Sequence, residues 1–231
     1  MSWTRLGESA RSGFALRPAA TPLAGEGDCL VEGLGVAERG IAKPAPRKLV
    51  IHAAVVALGC CTAIGSFIAA PGPPGLFGAA LGLLMIAIAV TDARAYLIPD
   101  RLTLAAFLLG LANAAAVDFA NMPENIALAL LRGCVLAFAF FALRETYRQL
   151  RHRHGLGLGD VKLATVAGAW LDWPLIPAAI EIAAVSALIA YMVSQLVLRR
   201  PFEATAKLPF GLFFAPAIWI GWLLGALFLQ G

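Results

Sequence analysis

The chain has 231 residues, of which 60% are hydrophobic and only 14% charged, and its mean hydropathy is +0.81. A soluble domain of this size would expose far too much apolar surface at that balance, so the composition indicates an integral membrane protein. The formal net charge of +4 permits a nucleic-acid partner in isolation, but the placement of the basic residues assigns it to membrane topology and argues for no nucleic acid.

Residues 1–46 are rich in Gly, Ala and Pro, mix both charges and lack a sustained apolar periodicity. They read as a flexible cytosolic extension ahead of a membrane domain spanning 47–231. No apolar core of the right length follows their basic residues, so they do not read as a signal peptide.

From Arg47-Lys48 onward, apolar runs alternate with short polar breaks. The runs cover about 49–70, 74–91, 102–117, 125–143, 161–171, 175–198 and 208–229. Runs of roughly 17–25 apolar residues cross a bilayer as helices. The expected fold is an all-α polytopic membrane bundle of about seven transmembrane helices. The fifth run is short, ended by Asp172-Trp173-Pro174, and predicts a thin, tilted or partly buried helix.

The basic residues orient this path. With seven crossings, seventeen of the eighteen Lys and Arg fall on one side, in the extension and the loops at 92–101, 144–162 and 199–207. The opposite loops hold Asp118, Glu124 and Asp172 and no Lys or Arg. Positive loops stay in the cytosol, so the extension is cytosolic and the C-terminus lies outside. Omitting the short fifth helix would move Arg199 and Arg200 outside, which supports counting it.

Arg132 is the exception, a charge within an apolar run. It is expected to snorkel outward or to pair with Glu124 or Glu181, in a structural role. Trp170, Trp173, Trp219 and Trp222 sit near run ends and read as interfacial anchors. Cys29, Cys60, Cys61 and Cys134 form no C-x-x-C pair, so neither a zinc knuckle nor a disulfide framework is expected. His152 and His154 lie in a basic stretch without acidic or cysteine partners and read as a solvated loop facing anionic lipid.

Ionisable groups at membrane depth are functional candidates. Asp92 closes the run "GLLMIAIAVTD", and Asp160 opens the next candidate segment in "GLGLGDVKLA". The arginine-based topology puts both at the same depth on the cytosolic side. Two carboxylates in a low-dielectric site cannot both stay ionised, so one keeps its proton while the other acts as base. Such a pair can activate water and protonate a leaving amine. An Asp at a helix N-terminus is also an ordinary cap, and one after a helix an ordinary solvated end. Intramembrane carboxylates also suit a proton- or cation-coupled transporter, although no inverted repeat is visible. A non-catalytic assembly subunit is a third reading. Gly155, Gly157 and Gly159 leave room for another backbone, whether a neighbouring helix or an extended substrate.

The stretch "DARAYLIPD", with Asp92, Pro99 and Asp100, and "GLGLGDVKL", with Gly157, Gly159, Asp160 and Lys162, resemble motifs of the type IV prepilin peptidases. These are bacterial membrane aspartyl proteases of the Gly-x-Gly-Asp type. A third stretch, "KLPFGLFFAPA", places Lys207, Pro209, Phe210 and Gly211 as in that family's late motif. There Leu212 replaces the usual proline, a departure expected to lie away from both aspartates.

The resemblance implies an endopeptidase that removes the basic leader of prepilins or pseudopilins at the cytosolic face of the bacterial inner membrane. Asp92 and Asp160 would be the catalytic pair. No metal or other cofactor is implied, and membrane lipid is the other partner. Without paired C-x-x-C motifs the chain resembles the short form, so methyltransferase activity is not expected. Asp100 is expected to cap the following helix or to meet basic residues of the leader. For Lys162 the site itself and phospholipid headgroups are equally open as partners.

Overall fold

The structure, a computed structural model, describes residues 47–151, 157–198 and 209–228. The extension 1–46, both histidines of the 152–154 stretch, Arg199, Arg200 and Lys207 lie outside the described residues. Seven α-helices make up the described chain: α1 Arg47–Ala69, α2 Pro73–Ala95, α3 Asp100–Val117, α4 Met122–Arg151, α5 Leu158–Trp170, α6 Leu175–Leu198 and α7 Phe210–Phe228.

Local sequence sets the helix ends. Gly72 takes a φ of 90°, a conformation that costs glycine little, and the prolines at 73 and 74 then start α2 where no ladder N–H is needed. That helix stops at Tyr96, a left-handed residue with φ 50° whose N–H reaches back to the Asp92 carbonyl at 2.9 Å. Pro99 is extended, and its carbonyl accepts the Leu102 and Thr103 N–H groups at 3.1 and 3.2 Å, which begins α3. Between Tyr96 and Pro99 the chain therefore turns back on itself within four residues.

Six helices are long and apolar enough to span a membrane: α1, α2, α3, α4, α6 and α7. The remaining one, α5, has 13 residues and reaches about 20 Å at 1.5 Å per residue, short of the ~30 Å hydrocarbon core. Burial compensates for that length. One side of α5 after another is covered, by α3, α4 and α7, and Leu163, Ala164, Val166, Ala167 and Trp170 are all buried.

The core forms where α2, α5 and α7 meet, around Leu81, Met85 and Ile88, Leu163 and Val166, and Phe214 and Ile218. The outer helices reverse the pattern of a soluble protein. Ile64 and Ile68 on α1, Phe138 on α4, and Leu188 and Leu196 on α6 are exposed, as expected where lipid is the solvent. Close crossings use small residues, since apolar burial alone does not drive helices together in lipid. A Cβ on Gly168 of α5 would lie 2.5 Å from the Arg132 carbonyl of α4.

Three sequence expectations change here. Arg132 pairs with Asp172, at 2.6 Å, rather than with Glu124 or Glu181, and its Nε donates to the Gly168 carbonyl at 3.2 Å. The carbonyls at the end of a helix carry the negative end of its dipole, which favours a cation there. Of the four tryptophans, only Trp173 is freely exposed. Trp170 donates to the Ala106 carbonyl at 2.9 Å and Trp219 to the Ser66 hydroxyl at 3.1 Å, while Trp222 is buried in the core. Helix-to-helix contact thus occupies these indoles. Lastly, α4 runs on to Arg151, so Arg144 and Arg148 stand on a helix and not in a loop.

Candidate active site

Both aspartates continue the buried stripe of their helices. On α2 the spacing Leu81, Met85, Ile88, Asp92 follows the helical repeat, and on α5 Asp160, Leu163, Ala164 and Ala167 do the same. Each stripe ends in a carboxylate where hydrocarbon gives way to polar chain. Asp92 is 6% exposed and Asp160 9%. Consecutive helices alternate in direction, so the end of α2 and the starts of α3, α5 and α7 meet at one end of the bundle.

A cavity of about 430 Å³ opens there, and Asp92, Asp160, Asp100, Lys162, Ile98 and Gly159 are among its lining residues. Asp92 lies within Coulombic reach of Asp160. Each carboxylate has one oxygen tied to backbone. Asp160 Oδ2 accepts the Gly157 N–H at 3.0 Å. Asp92 Oδ2 accepts the Leu212 N–H at 2.9 Å, with the Gly211 amide beside it. Such a bond restrains its carboxylate while leaving further lone pairs on the group for a proton or a water.

The glycine run performs separate tasks. Gly157 is the N-cap of α5 and donates to Asp160, half of a capping box; having no side chain, it cannot supply the other half. Gly159 faces Ile98, and a Cβ there would lie 3.0 Å from the Ile98 Cβ. The clearance it provides is therefore filled by the α2–α3 turn. Gly211 makes the tightest approach. A Cβ on it would come within 2.8 Å of both Asp92 Oδ2 and Ile98 Cδ1.

Asp100 is the first residue of α3 and makes no capping hydrogen bond. Its carboxylate instead meets Lys162 Nζ at 2.5 Å. Both are substantially solvent-exposed, at 76% and 47% respectively. Pro99 starts α3 through its carbonyl, as described. In the late motif, Pro209 starts α7 by accepting the Leu212 N–H at 3.3 Å, and the Phe210 ring packs on Phe214 at 5.3 Å.

The expectation that Leu212 lies away from both aspartates is wrong. Its N–H is a direct partner of Asp92. Ile98 stood in the quoted "DARAYLIPD" stretch but was given no role of its own, and the structure sets it between Gly159 and Gly211. That an isoleucine will pack against two distant glycines leaves no signal in a single sequence. Among the described residues, no group of three or more His, Cys, Asp and Glu could hold a metal ion.

Chemically, the arrangement offers two carboxylates in one water-accessible cavity at the end of an apolar bundle. With one protonated and one ionised, such a pair supplies an acid and a base at once.

Comparison with known proteins adds to this geometry. The profile described as the type IV leader peptidase family matches residues 79–192, a span holding Asp92, Asp100, Asp160 and Lys162 but stopping short of α7. Leader peptidase HopD of Escherichia coli is 36% identical over 141 residues, covering 60% of this chain and 87% of HopD. The prepilin leader peptidase/N-methyltransferase of Escherichia coli K12 is 30% identical over 162 residues, 69% of this chain and 70% of that protein. Its namesake in Aeromonas hydrophila is 30% identical over 156 residues, 68% of this chain and 52% of its own length. The chain thus spans most of HopD but about half of the Aeromonas protein. No solved structure matches the chain.

Proposed function

Since the chain belongs to the type IV leader peptidase family, we propose that it is an aspartic-type endopeptidase that removes the leader from prepilins or pseudopilins at the cytosolic face of the membrane. The observation that carries this reading is the cavity shared by Asp92 of α2 and Asp160 of α5.

Hydrolysis follows from that pair. The ionised carboxylate takes a proton from water, and the water oxygen attacks the scissile carbonyl carbon. The protonated carboxyl stabilises the developing oxyanion by hydrogen bonding. Collapse of the tetrahedral species breaks the C–N bond, and the departing nitrogen takes a proton from the pair, leaving an acid and an amine. No acyl-enzyme forms. The scissile bond has to be extended to be attacked, because a helical peptide bond is shielded by its own ladder. A hydrophobic substrate helix would therefore unwind at its leader junction.

The distribution of charge fits a basic leader. Besides Asp92 and Asp160, Asp100 is the one acidic group among the described residues that line the cavity. The cytosolic orientation rests on the excess of Lys and Arg at this end of the path. An ion-coupled transporter, the other use of such carboxylates, gains no support from the family match.

The test is leader cleavage in cells co-expressing the chain with a candidate prepilin, comparing wild type with Asp92→Ala and Asp160→Ala. Loss of the processed band in both variants, with membrane levels unchanged, is the expected result. Cleavage by either variant would overturn the assignment.

A further inference from the structure

We infer that the hollow beyond the end of α5, at the end of the bundle opposite Asp92 and Asp160, binds a group that carries both a phosphate and a primary ammonium. Its source is the head group of a membrane phospholipid of the phosphatidylethanolamine class. This site does not depend on the catalytic reading of the two aspartates.

The short helix creates the space. With 13 residues, α5 rises about 20 Å, roughly 10 Å less than the hydrocarbon core. Its first turn stands at the candidate site, so Trp170 at its other end stops well inside the bundle. Residues of α3, α4 and α7 help to enclose what remains, a cavity of about 200 Å³. At about 30 Å³ per water, that volume takes several waters or one small polar head group, and a leader peptide does not fit.

The lining is polar at a depth where lipid demands apolar groups. Asn113 of α3, Asn125 and Arg132 of α4, and Asp172 all line it. Ionisable groups so placed are costly and point to a functional site by default. Arg132 is 13% exposed. Its Nε reaches the Gly168 carbonyl and its Nη1 reaches Asp172, while Nη2 makes no hydrogen bond to a described residue. The side-chain amides of Asn113 and Asn125, both half-buried, make none either. Polar groups withdrawn from water are normally paired, so these donors and acceptors suit a polar ligand.

Charge selects which ligand. Arg132 and Asp172 cancel, so a lone anion meets repulsion from Asp172 and a lone cation meets it from Arg132. A group of both signs complements both. Phosphate oxygens match the guanidinium Nη2 and the two amide NH₂ groups. An ammonium, with three donors, matches the second oxygen of Asp172, whose side chain is 59% exposed. The walls select the source. Trp170 and Trp222 are buried on the inner side, whereas Val117 of α3 and Leu128 of α4 line the same cavity and are exposed. Acyl chains pack on those two side chains, and a soluble phosphate ester gains nothing from them.

The test uses the full chain purified in detergent micelles. Dioleoyl phosphatidylethanolamine, phosphatidylcholine or phosphatidylglycerol is added in turn, with soluble O-phosphoethanolamine and inorganic phosphate as separate arms. Thermal unfolding and native mass spectrometry are the readouts. Phosphatidylethanolamine should raise Tm by roughly 5–10 °C near saturation and remain bound as one adduct per chain. Phosphatidylcholine, whose quaternary ammonium has no N–H, and phosphatidylglycerol, which has no cation, should each give a clearly smaller rise.

Two variants locate the effect. Asp172→Asn should erase the advantage over phosphatidylcholine. Asn113→Leu combined with Asn125→Leu should erase the adduct while leaving the Arg132–Asp172 pair in place. If the double variant fails to fold, Asp172→Asn decides. Equal rises for the three lipids in wild type overturn the inference, and so does a phosphatidylethanolamine preference that survives in both variants. A rise from O-phosphoethanolamine or inorganic phosphate that matches the lipid's overturns the lipid source.

Discussion

Lys162 of α5 holds the carboxylate of Asp100 at the start of α3, 2.5 Å away, on the rim of the cavity that contains Asp92 and Asp160. An exposed pair of this kind contributes roughly 0–1 kcal/mol, because solvent screens it and two flexible side chains are immobilised. It is therefore weak enough to be exchanged. A basic leader residue entering the cavity would compete with Lys162 for Asp100.

Removing the competitor should help the substrate. Lys162→Ala is expected to lower KM for a basic-leader prepilin by about two- to fivefold, in line with the modest energy of such pairs. Asp100→Asn should raise KM and reduce the preference for basic over neutralised leaders. Both effects should shrink in 0.5 M salt, where the Debye length is only about 4 Å. Steady-state cleavage of matched leaders at two ionic strengths measures this. Equal preference for basic leaders in wild type and Asp100→Asn would count against it.

Ile98 wedges between α5 and α7, so alanine at either facing glycine should act through it. Gly159→Ala sets a Cβ 3.0 Å from the Ile98 Cβ, and the α2–α3 turn has to shift by a few tenths of an ångström. The expected cost is about ten- to a hundredfold in kcat/KM, from misplaced Asp92. Ile98→Ala should relieve this only in part, because its own Cβ is the nearest atom. Gly211→Ala should be rescued less, since Asp92 Oδ2 itself stands 2.8 Å from the new methyl. A double-mutant cycle in kcat/KM reports the coupling.

The helices and their order were legible because hydrocarbon demands continuous apolar runs, and those runs match α1 to α7 within about four residues except at the end of α4, which runs on to Arg151. The co-location of Asp92 and Asp160 was legible for a different reason. Basic residues fix which loops share a side, so two aspartates at run ends could be placed together without any contact being seen. Partner choice was not legible. For Arg132 the sequence offered Glu124 and Glu181, whereas the crossing of α4 and α5 at Gly168 brings it to Asp172. Leu212 was misjudged because a backbone N–H belongs to every residue except proline and leaves no mark in the sequence.

Arg132 joins two helices at the end of the bundle opposite the candidate site. Its guanidinium donates to the Asp172 carboxylate at 2.6 Å and to the Gly168 carbonyl at 3.2 Å. Arg132→Ala should cost about 1–3 kcal/mol, the range for a charge-assisted hydrogen bond lost with its partner left behind. Asp172→Asn should cost less, because that side chain is 59% exposed and water replaces it. Cleavage at low temperature should survive in both, which separates this end from the chemistry. Thermal inactivation in detergent or vesicles measures the difference. A fall in kcat in Arg132→Ala without any loss of stability would show that the two ends are coupled.

The two aspartates should titrate as one unit. At low pH both carboxyls are protonated and nothing can take a proton from water. At high pH both are ionised and nothing can donate to the oxyanion or the departing amine. Cleavage should then peak between two limbs whose apparent pKa values belong to the pair rather than to either residue. Asp92→Asn and Asp160→Asn retain the shape of the side chain but abolish the exchangeable proton. Each should lower kcat by about 10²–10⁴-fold, the usual contribution of positioned acid–base groups. Because the pair acts together, the double Asn variant should be hardly worse than either single one. A pH series of kcat in vesicles, with fluorescence release from a prepilin peptide as readout, decides it. A single-limbed profile, or losses that multiply in the double variant, would mean that the carboxylates work separately.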